Sequence, residues 1–502
     1  MPRALPSPVV CFVTLTALGI ASACSPGKAD TESASAGATA AATTPAVVSL
    51  TTSSPEARRL YLEGRALAEN LRVHDGRKVF ERAVEKDPSF AMAHYQLALN
   101  SATAKDFFDH LNEAVKLSDK TSEGERLMIT VAEAGANAQP KKALELAQQL
   151  ATKYYGDERA HFILGNQYAG QQEYEKAVEQ YEKSIELNPK FAGAYNSLGY
   201  TYRPMERYAD AEAAFKQYIE LIPGDPNPYD SYAELLMKTG RFDESIAQYR
   251  KALSVDPHFS NSFIGIATNL MLQGKHDAAA AEAQKLYDAA RDDGDRRFAL
   301  FARSTIYADA GKTAAALREI EKEYALDAKL ADTANMSGDA LLLGNILLDA
   351  GKPDEAARKF QQSSDLVEKS SLSDEVKADN ALAVHYNKAR VALAKGDVAT
   401  AKTEAEEYMS GAAARNNAFR TRQAHQLAGA IALREKSYDA AIEHLGQANQ
   451  QDPQVVYYTA LAYQDKGDTA KAKELAAKAA NANVLPLITY SFVRQKAKRM
   501  ST

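Results

Sequence analysis

The chain has 502 residues, of which 45% are hydrophobic and 25% charged, a composition typical of folded rather than disordered proteins. Its net charge of −6 argues against a nucleic-acid-binding protein, which would need a strongly basic face.

Residues 1–24 have the features of an export signal. Arg3 supplies a positive charge, and residues 9–20 form an apolar stretch that is too short for a membrane span. The signal ends in the small residues 21–23, directly before Cys24.

Two processing routes fit this end of the signal. Ala21-Ser22-Ala23 matches an ordinary signal-peptidase site, whereas the small residues before Cys24 resemble a bacterial lipobox. Cys11 lies inside the signal, so Cys24 would be the only thiol of the exported chain. A lone exposed thiol is a liability in an oxidising compartment, which favours lipidation of Cys24. Ser25 follows Cys24. By resemblance to the sorting of bacterial lipoproteins, a serine at this position implies that the protein is anchored in the outer membrane.

Residues 25–54 are rich in Ala, Ser, Thr and Gly and nearly lack aromatic residues. Such a segment cannot bury enough apolar surface to offset its chain entropy. The composition therefore predicts a flexible tether that holds the folded part away from the membrane.

From residue 55 a pattern recurs every 34 residues, and it is clearest between Glu158 and Pro257. Each copy places leucine, glycine, aromatic, alanine and proline residues at fixed positions, as in a solenoid of stacked units. The matching residues are Leu164, Gly165, Tyr168, Ala177, Tyr181 and Pro189, then Leu198, Gly199, Tyr202, Ala211, Phe215 and Pro223, then Pro257.

This pattern resembles the tetratricopeptide repeat, a unit of two antiparallel helices. The resemblance implies an all-α, right-handed superhelical solenoid of about 12 helix pairs. Residues 55–290 would form a regular array, and residues 291–485 an irregular one whose spacing stretches to about 37 to 45 residues. Residues 486–502 would form a basic terminal helix that keeps the exposed end of the solenoid soluble.

Glycines mark the turn that closes the first helix of five pairs, because glycine accepts the left-handed conformation without a side-chain clash. They are Gly240, Gly274, Gly311, Gly351 and Gly396. Because Gly311 occupies this turn position, Gly311-Lys312-Thr313 is predicted to be a turn between helices. A nucleotide-binding loop is not predicted, because the preceding glycine and strand of such a loop are missing. His94, His161 and His425 share the fourth position of their repeats, which predicts packing residues rather than metal ligands.

In the tetratricopeptide repeat family, which the pattern resembles, the first helix of each pair lines a concave groove. By resemblance, the positions that point into it predict nine partner-binding residues here. They are Arg159, Phe162, Asn166, Asn196, Tyr200, Arg203, Asp230, Glu234 and Met271. The family's clamp for carboxylate termini is not predicted, because Phe162 stands where its first lysine would be.

The sequence predicts a scaffold without enzymatic activity, cofactor or metal, lipid-anchored in the cell envelope and facing the periplasm or the cell surface. Its partner would be a protein or peptide bound in the groove. The family that the pattern resembles includes lipoproteins that assist outer-membrane assembly, secretin assembly and cell-wall synthesis. One alternative is a surface lipoprotein that captures a nutrient glycan. Another is an enzyme with an unrecognised site in residues 290–421.

Overall fold

The computed structural model of the protein describes residues 46–69, 72–101, 104–370, 372–415 and 417–502. The predicted signal with Cys24, and most of the predicted tether, lie outside these residues. The described residues form 25 α-helices and one short 3-10 turn, and they contain no strand. The predicted all-α solenoid is therefore confirmed. No helix in this part of the chain is both long and apolar enough to cross a membrane.

The first 12 helices form six antiparallel pairs, each an odd-numbered first helix followed by an even-numbered second helix. They are α1 (Pro55–Glu69), α2 (Val73–Lys86), α3 (Ala91–Leu99), α4 (Ala104–Leu117), α5 (Glu123–Ala136), α6 (Pro140–Lys153), α7 (Glu158–Gln171), α8 (Tyr174–Leu187), α9 (Ala192–Tyr202), α10 (Tyr208–Leu221), α11 (Asn227–Lys238) and α12 (Phe242–Val255).

Six further pairs and a single terminal helix follow. They are α13 (Ser260–Leu272), α14 (His276–Asp288), α15 (Asp293–Asp309), α16 (Thr313–Leu330), α17 (Thr333–Asp349), α18 (Pro353–Lys369), α19 (Asp374–Lys395), α20 (Val398–Ala414), α21 (Ala418–Arg434), α22 (Tyr438–Gln447), α23 (Pro453–Lys466), α24 (Thr469–Ala480) and α25 (Ile488–Ser501). The wider spacing after residue 290 comes from longer helices, since α15 to α21 have 17 to 22 residues each.

The five predicted turn glycines all close a first helix in the left-handed conformation, with φ between +71° and +82°. Four other pairs adopt the same conformation with a side chain present, at Ala138, Gln172, Glu206 and Lys436. The turn geometry thus belongs to the repeat itself, and glycine only makes it less strained.

Small residues on each first helix allow a large residue of the second helix to lie directly against its backbone. A Cβ atom added to Gly165 would lie 2.7 Å from the Tyr181 ring, and one added to Gly199 would lie 2.6 Å from the Phe215 ring. Phe215 is fully buried and shares its core with Leu235 of the next pair. Each aromatic residue therefore joins the two helices of its own pair and the pair that follows.

The second half of the solenoid lies against the first half. Phe108 of the second pair packs on Ala334 of the ninth pair. In the third pair, Asn137 accepts a hydrogen bond from Ser373 Oγ of the tenth pair at 2.8 Å. Glu206 of the fifth pair faces Lys478 of the twelfth pair, with Oε1 and Nζ 3.6 Å apart. Each contact joins a pair to the seventh pair beyond it, so about seven pairs complete one superhelical turn.

Candidate partner-binding groove

The nine predicted groove residues lie on four consecutive first helices. Helix α7 carries Arg159, Phe162 and Asn166, helix α9 carries Asn196 and Tyr200 with Arg203 as its C-cap, helix α11 carries Asp230 and Glu234, and helix α13 carries Met271. They share one side of the array because they recur at the same positions of successive repeats.

Phe162 and Asn166 remain partly exposed, and both are held by aromatic residues. The Phe162 ring makes an edge contact with the Phe191 ring, with centroids 5.0 Å apart. Asn166 Oδ1 accepts a hydrogen bond from the hydroxyl of Tyr181 at 2.8 Å. These contacts fix both side chains in place while leaving part of each exposed.

Tyr200 lies next to an ion pair that bridges two repeats. Arg203 Nη1 donates to Glu234 Oε2 at 3.0 Å, and the guanidinium lies 5.0 Å from the centre of the Tyr200 ring. The Tyr200 hydroxyl donates to Ser231 Oγ at 3.4 Å. Arg203 keeps 13% of its side chain exposed and Glu234 only 4%. The partly exposed residues of this group are therefore Tyr200 and Arg203.

Four of the nine side chains are buried, which contradicts their predicted exposure in an open groove. They are Asn196, Asp230, Glu234 and Met271. Asp230 Oδ1 accepts a hydrogen bond from Ser262 Oγ at 2.8 Å, and Met271 is covered by the terminal helix α25. In this conformation such residues support the groove and cannot contact a partner.

Arg159 is engaged by the chain's own N-terminal segment. Its guanidinium pairs with Asp157, with Nη2 and Oδ2 2.5 Å apart, and it donates to the Val48 carbonyl at 3.4 Å. The side chain keeps only 16% exposure. In this structure, segment 46–54 of the same chain therefore already occupies the predicted groove position of Arg159.

The segment 46–54 lies extended against the starts of two first helices, so the predicted flexible tether is wrong for these residues. The backbone N–H groups of Val48 and Thr51 donate to the carboxylates of Asp157 and Glu125, at 2.9 and 2.8 Å. Both carboxylates are buried, and the Val48 side chain is buried as well. Composition could not reveal this, because the partners are carboxylates 74 and 109 residues further along the chain.

The C-terminal helix α25 packs on the twelfth pair and on the first helices of the seventh, eighth and ninth pairs. Its basic residues Lys496, Lys498 and Arg499 are exposed, whereas Arg494 is buried, which the prediction of an exposed basic end did not include. Ile488, Tyr490 and Val493 are buried against these helices. Arg494 is 4% exposed and forms an ion pair with Asp309, with Nε donating to Oδ1 at 2.6 Å. The apolar residues between the basic ones were the signal for this burial.

The three histidines at the fourth repeat position pack between the helices of their own pairs, as predicted. His161 Nδ1 lies 2.8 Å from Gln180 Oε1. His94 and His425 each face a second histidine, His110 and His444, with Nδ1 atoms 3.3 and 3.2 Å apart. Burial and the neighbouring ring lower the pKa values of His425 and His110. In the described part of the chain, no three metal-ligating side chains are grouped to hold a metal.

Within residues 290–421, the region of the alternative enzymatic site, titratable side chains gather in one buried cluster. The carboxyls of Glu323, Asp327 and Asp339 surround the guanidinium of Arg297. Burial raises the pKa of Glu323 to about 8 and that of Asp327 to about 6. All four side chains are buried, so a substrate cannot contact them in this conformation. Gly311, in the same region, forms the predicted turn and not a phosphate-binding loop.

The repeat geometry and its spacing agree with sequence models of one family. A model described as TPR repeat matches residues 165–203, and models described as tetratricopeptide repeat match residues 61–107, 192–225, 233–296 and 341–402. The chain is a tetratricopeptide repeat protein. Repeats of this kind form extended concave surfaces on which proteins are bound.

Solved structures similar to this tetratricopeptide repeat protein share little of its sequence. A tetratricopeptide repeat protein from Parabacteroides merdae is 17% identical, with 96% of that chain and 51% of this one covered and a TM-score of 0.36. MamA from Desulfovibrio magneticus RS-1 is 18% identical, with 96% of that chain and 34% of this one covered and a TM-score of 0.29. No curated protein matches the sequence.

Proposed function

We propose that this tetratricopeptide repeat protein is a non-enzymatic scaffold of the cell envelope that binds a protein or peptide partner on its first helices. The supporting observation is that the first helices already bind two segments of the chain itself. Segment 46–54 lies extended across α5 and α7, and the helix α25 lies across α13, α15 and α17. The same kind of surface binds an extended peptide in one place and a helix in another.

The site for the partner lies between these two occupied stretches, on α7, α9 and α11. Phe162, Asn166, Tyr200 and Arg203 are partly exposed there. They combine aromatic surface, an amide and a positive charge, which suits a peptide with both apolar and acidic groups. A partner held in this way could be positioned for assembly into an envelope complex.

The anchoring part of the proposal rests on the sequence. Cys24 follows a signal-like apolar stretch and would be the only cysteine of the exported chain. We propose that it carries a lipid that holds the protein at the outer membrane, facing the periplasm or the cell surface. Metabolic labelling with a fatty-acid analogue tests this, because Cys24→Ser should abolish labelling. Equal labelling of the variant would refute the anchor.

Crosslinking in the envelope, followed by capture of the protein, tests the groove. The variant Tyr200→Ala/Arg203→Ala/Glu234→Ala removes both members of the ion pair and so leaves no uncompensated buried charge. We expect it to lose the partner that the wild-type protein captures. The control is Arg241→Ala/Glu244→Ala, which removes an exposed ion pair (Nη2–Oε2 2.6 Å) at the start of the second helix α12. An unchanged set of partners in the triple variant would place the binding surface elsewhere.

A further inference from the structure

The terminal helix α25 has no second helix of its own, and its first half is buried on several sides. Residues 490–494 and Ala497 are buried, whereas Lys496 and Lys498 are exposed. Ala497 packs on the twelfth pair, and Tyr490 and Val493 share a core with the seventh to ninth pairs. The chain thus inserts one helix between the twelfth pair and the first helices of earlier pairs.

Four consecutive repeats contact this C-terminal segment from the same repeat position, two residues before the left-handed glycine of each turn. The contacts are Lys238 Nζ to the Ala482 carbonyl at 2.7 Å, the Leu272 carbonyl to Arg494 Nη1 at 3.2 Å, Asp309 Oδ1 to Arg494 Nε at 2.6 Å, and Asp349 Oδ1 to Lys496 Nζ at 2.9 Å. One position of the repeat therefore forms a continuous line of recognition groups across the sixth to ninth pairs.

The centre of this line is a pocket for a guanidinium group. Asp309 is 3% exposed, and it also contacts His276 Nε2 at 2.7 Å and Gln495 Nε2 at 3.3 Å. The Met271 carbonyl accepts from Arg494 Nη2 at 3.1 Å. Apolar residues could cover this part of the array equally well, whereas a buried ion pair specifies which side chain enters and in which register.

The connection to α25 is short and irregular. Residues 481–487 form neither helix nor strand, and Asn481 at their start is exposed. Asn483 is buried, and Val484, Leu485 and Leu487 pack in the same core as α25, so release of the helix also requires release of this connection.

We propose that the surface of α13, α15 and α17 is a site for a basic amphipathic helix of a partner protein, and that α25 occupies it until such a helix replaces α25. The partner helix carries apolar residues at the spacing of Tyr490 and Val493, and an arginine that pairs with Asp309. This proposal rests on the proposed scaffold function and adds to it a second site with its own regulation.

Exchange of the terminal segment in the full-length protein tests the proposal. A protease site inserted after Asn481 lets the segment 482–502 be cut from an otherwise complete chain. A fluorescent peptide of the same sequence is then added, and its anisotropy is measured before and after cleavage. We expect binding to the cleaved protein at least about tenfold tighter than to the uncleaved protein, because the attached helix competes at high effective concentration.

Peptide variants separate specific recognition from general apolar adhesion. Arg494→Ala in the peptide should weaken binding by at least about tenfold, because Asp309 is left buried without its cation. The matched control, Lys498→Ala, removes an exposed charge and should change binding by less than about twofold. In the protein, Asp309→Asn should weaken binding of the unaltered peptide, whereas Asp277→Asn, at a site 93% exposed, should not.

Three results would overturn the proposal. They are failure of the peptide to exchange into the cleaved protein, equal binding of the Arg494→Ala peptide, and equal binding to the Asp309→Asn protein. Circular dichroism of each protein variant shows that the helices remain folded. If crosslinking still depends on Tyr200 and Arg203 while the peptide does not exchange, the scaffold function stands and only this second site fails.

Discussion

The buried carboxyl cluster around Arg297 makes the protein's stability depend on pH in an unusual direction. Arg297 of α15 lies 3.1 Å from Glu323 Oε1 and 2.8 Å from Asp327 Oδ1, both on α16, and 3.6 Å from Asp339 Oδ1 on α17. One guanidinium cannot neutralise three carboxylates. Burial is therefore the dominant effect, and it raises the pKa values of all three acids.

The pKa of Glu323 is raised from 4.5 to about 8, so the folded protein holds a proton that the unfolded chain releases. This contribution to stability is complete below about pH 4.5 and is lost as the pH rises through 8. A tenfold change in a proton-binding constant corresponds to about 1.4 kcal/mol, so this rise in the pKa predicts a loss of roughly 3–5 kcal/mol across the same pH range.

The substitution Glu323→Gln keeps the size of the side chain but has no proton to lose. We expect the wild-type protein to lose stability between pH 5 and pH 8, and the variant to lose markedly less. Urea unfolding followed by circular dichroism measures the difference, and hydrogen exchange in α16 localises it. The control is Glu321→Gln, which is exposed on the same helix and should follow the wild type. Equal pH dependence in the wild type and Glu323→Gln would refute the reasoning.

Three further substitutions probe the packing of the array. Gly265→Ala should lower stability by about 1–3 kcal/mol, because its Cβ would lie 2.1 Å from the Tyr249 ring. In thermal denaturation, Gly446→Ala is the control, since no atom lies within 4 Å of its added Cβ. Phe215→Ala should cost about 3–5 kcal/mol and reduce hydrogen-exchange protection in its own pair and the next; loss confined to one pair would contradict the shared core. Val48→Asp should release segment 46–54, with faster hydrogen exchange there and little change elsewhere, whereas unchanged protection would show that this buried side chain does not hold the segment.

Part of the candidate site was predictable and part was not. The helix and repeat position of residues such as Phe162 and Tyr200 followed from the 34-residue period, and both remain partly exposed. The burial of Asn196 and Met271 did not follow, because the period gives the side of a helix on which a residue lies but not what covers it. The structure shows α25 over Met271, a contact made by residues more than 200 positions away.

The sequence by itself determined the helix pairs, their turns and their packing. Gly199 and Phe215 are 16 residues apart, and their contact depends only on the two helices of one pair. Such information is local and repeats along the chain, so a fixed spacing is enough to reveal it.

Only the tertiary structure decided how the array closes and what lies on it. Each pair is rotated slightly from the one before, and this rotation accumulates over about seven pairs before Asn137 meets Ser373. No local spacing encodes the sum of these small rotations. For the same reason, the docking of segment 46–54 and the insertion of Arg494 beside Asp309 could be seen only once the array had closed.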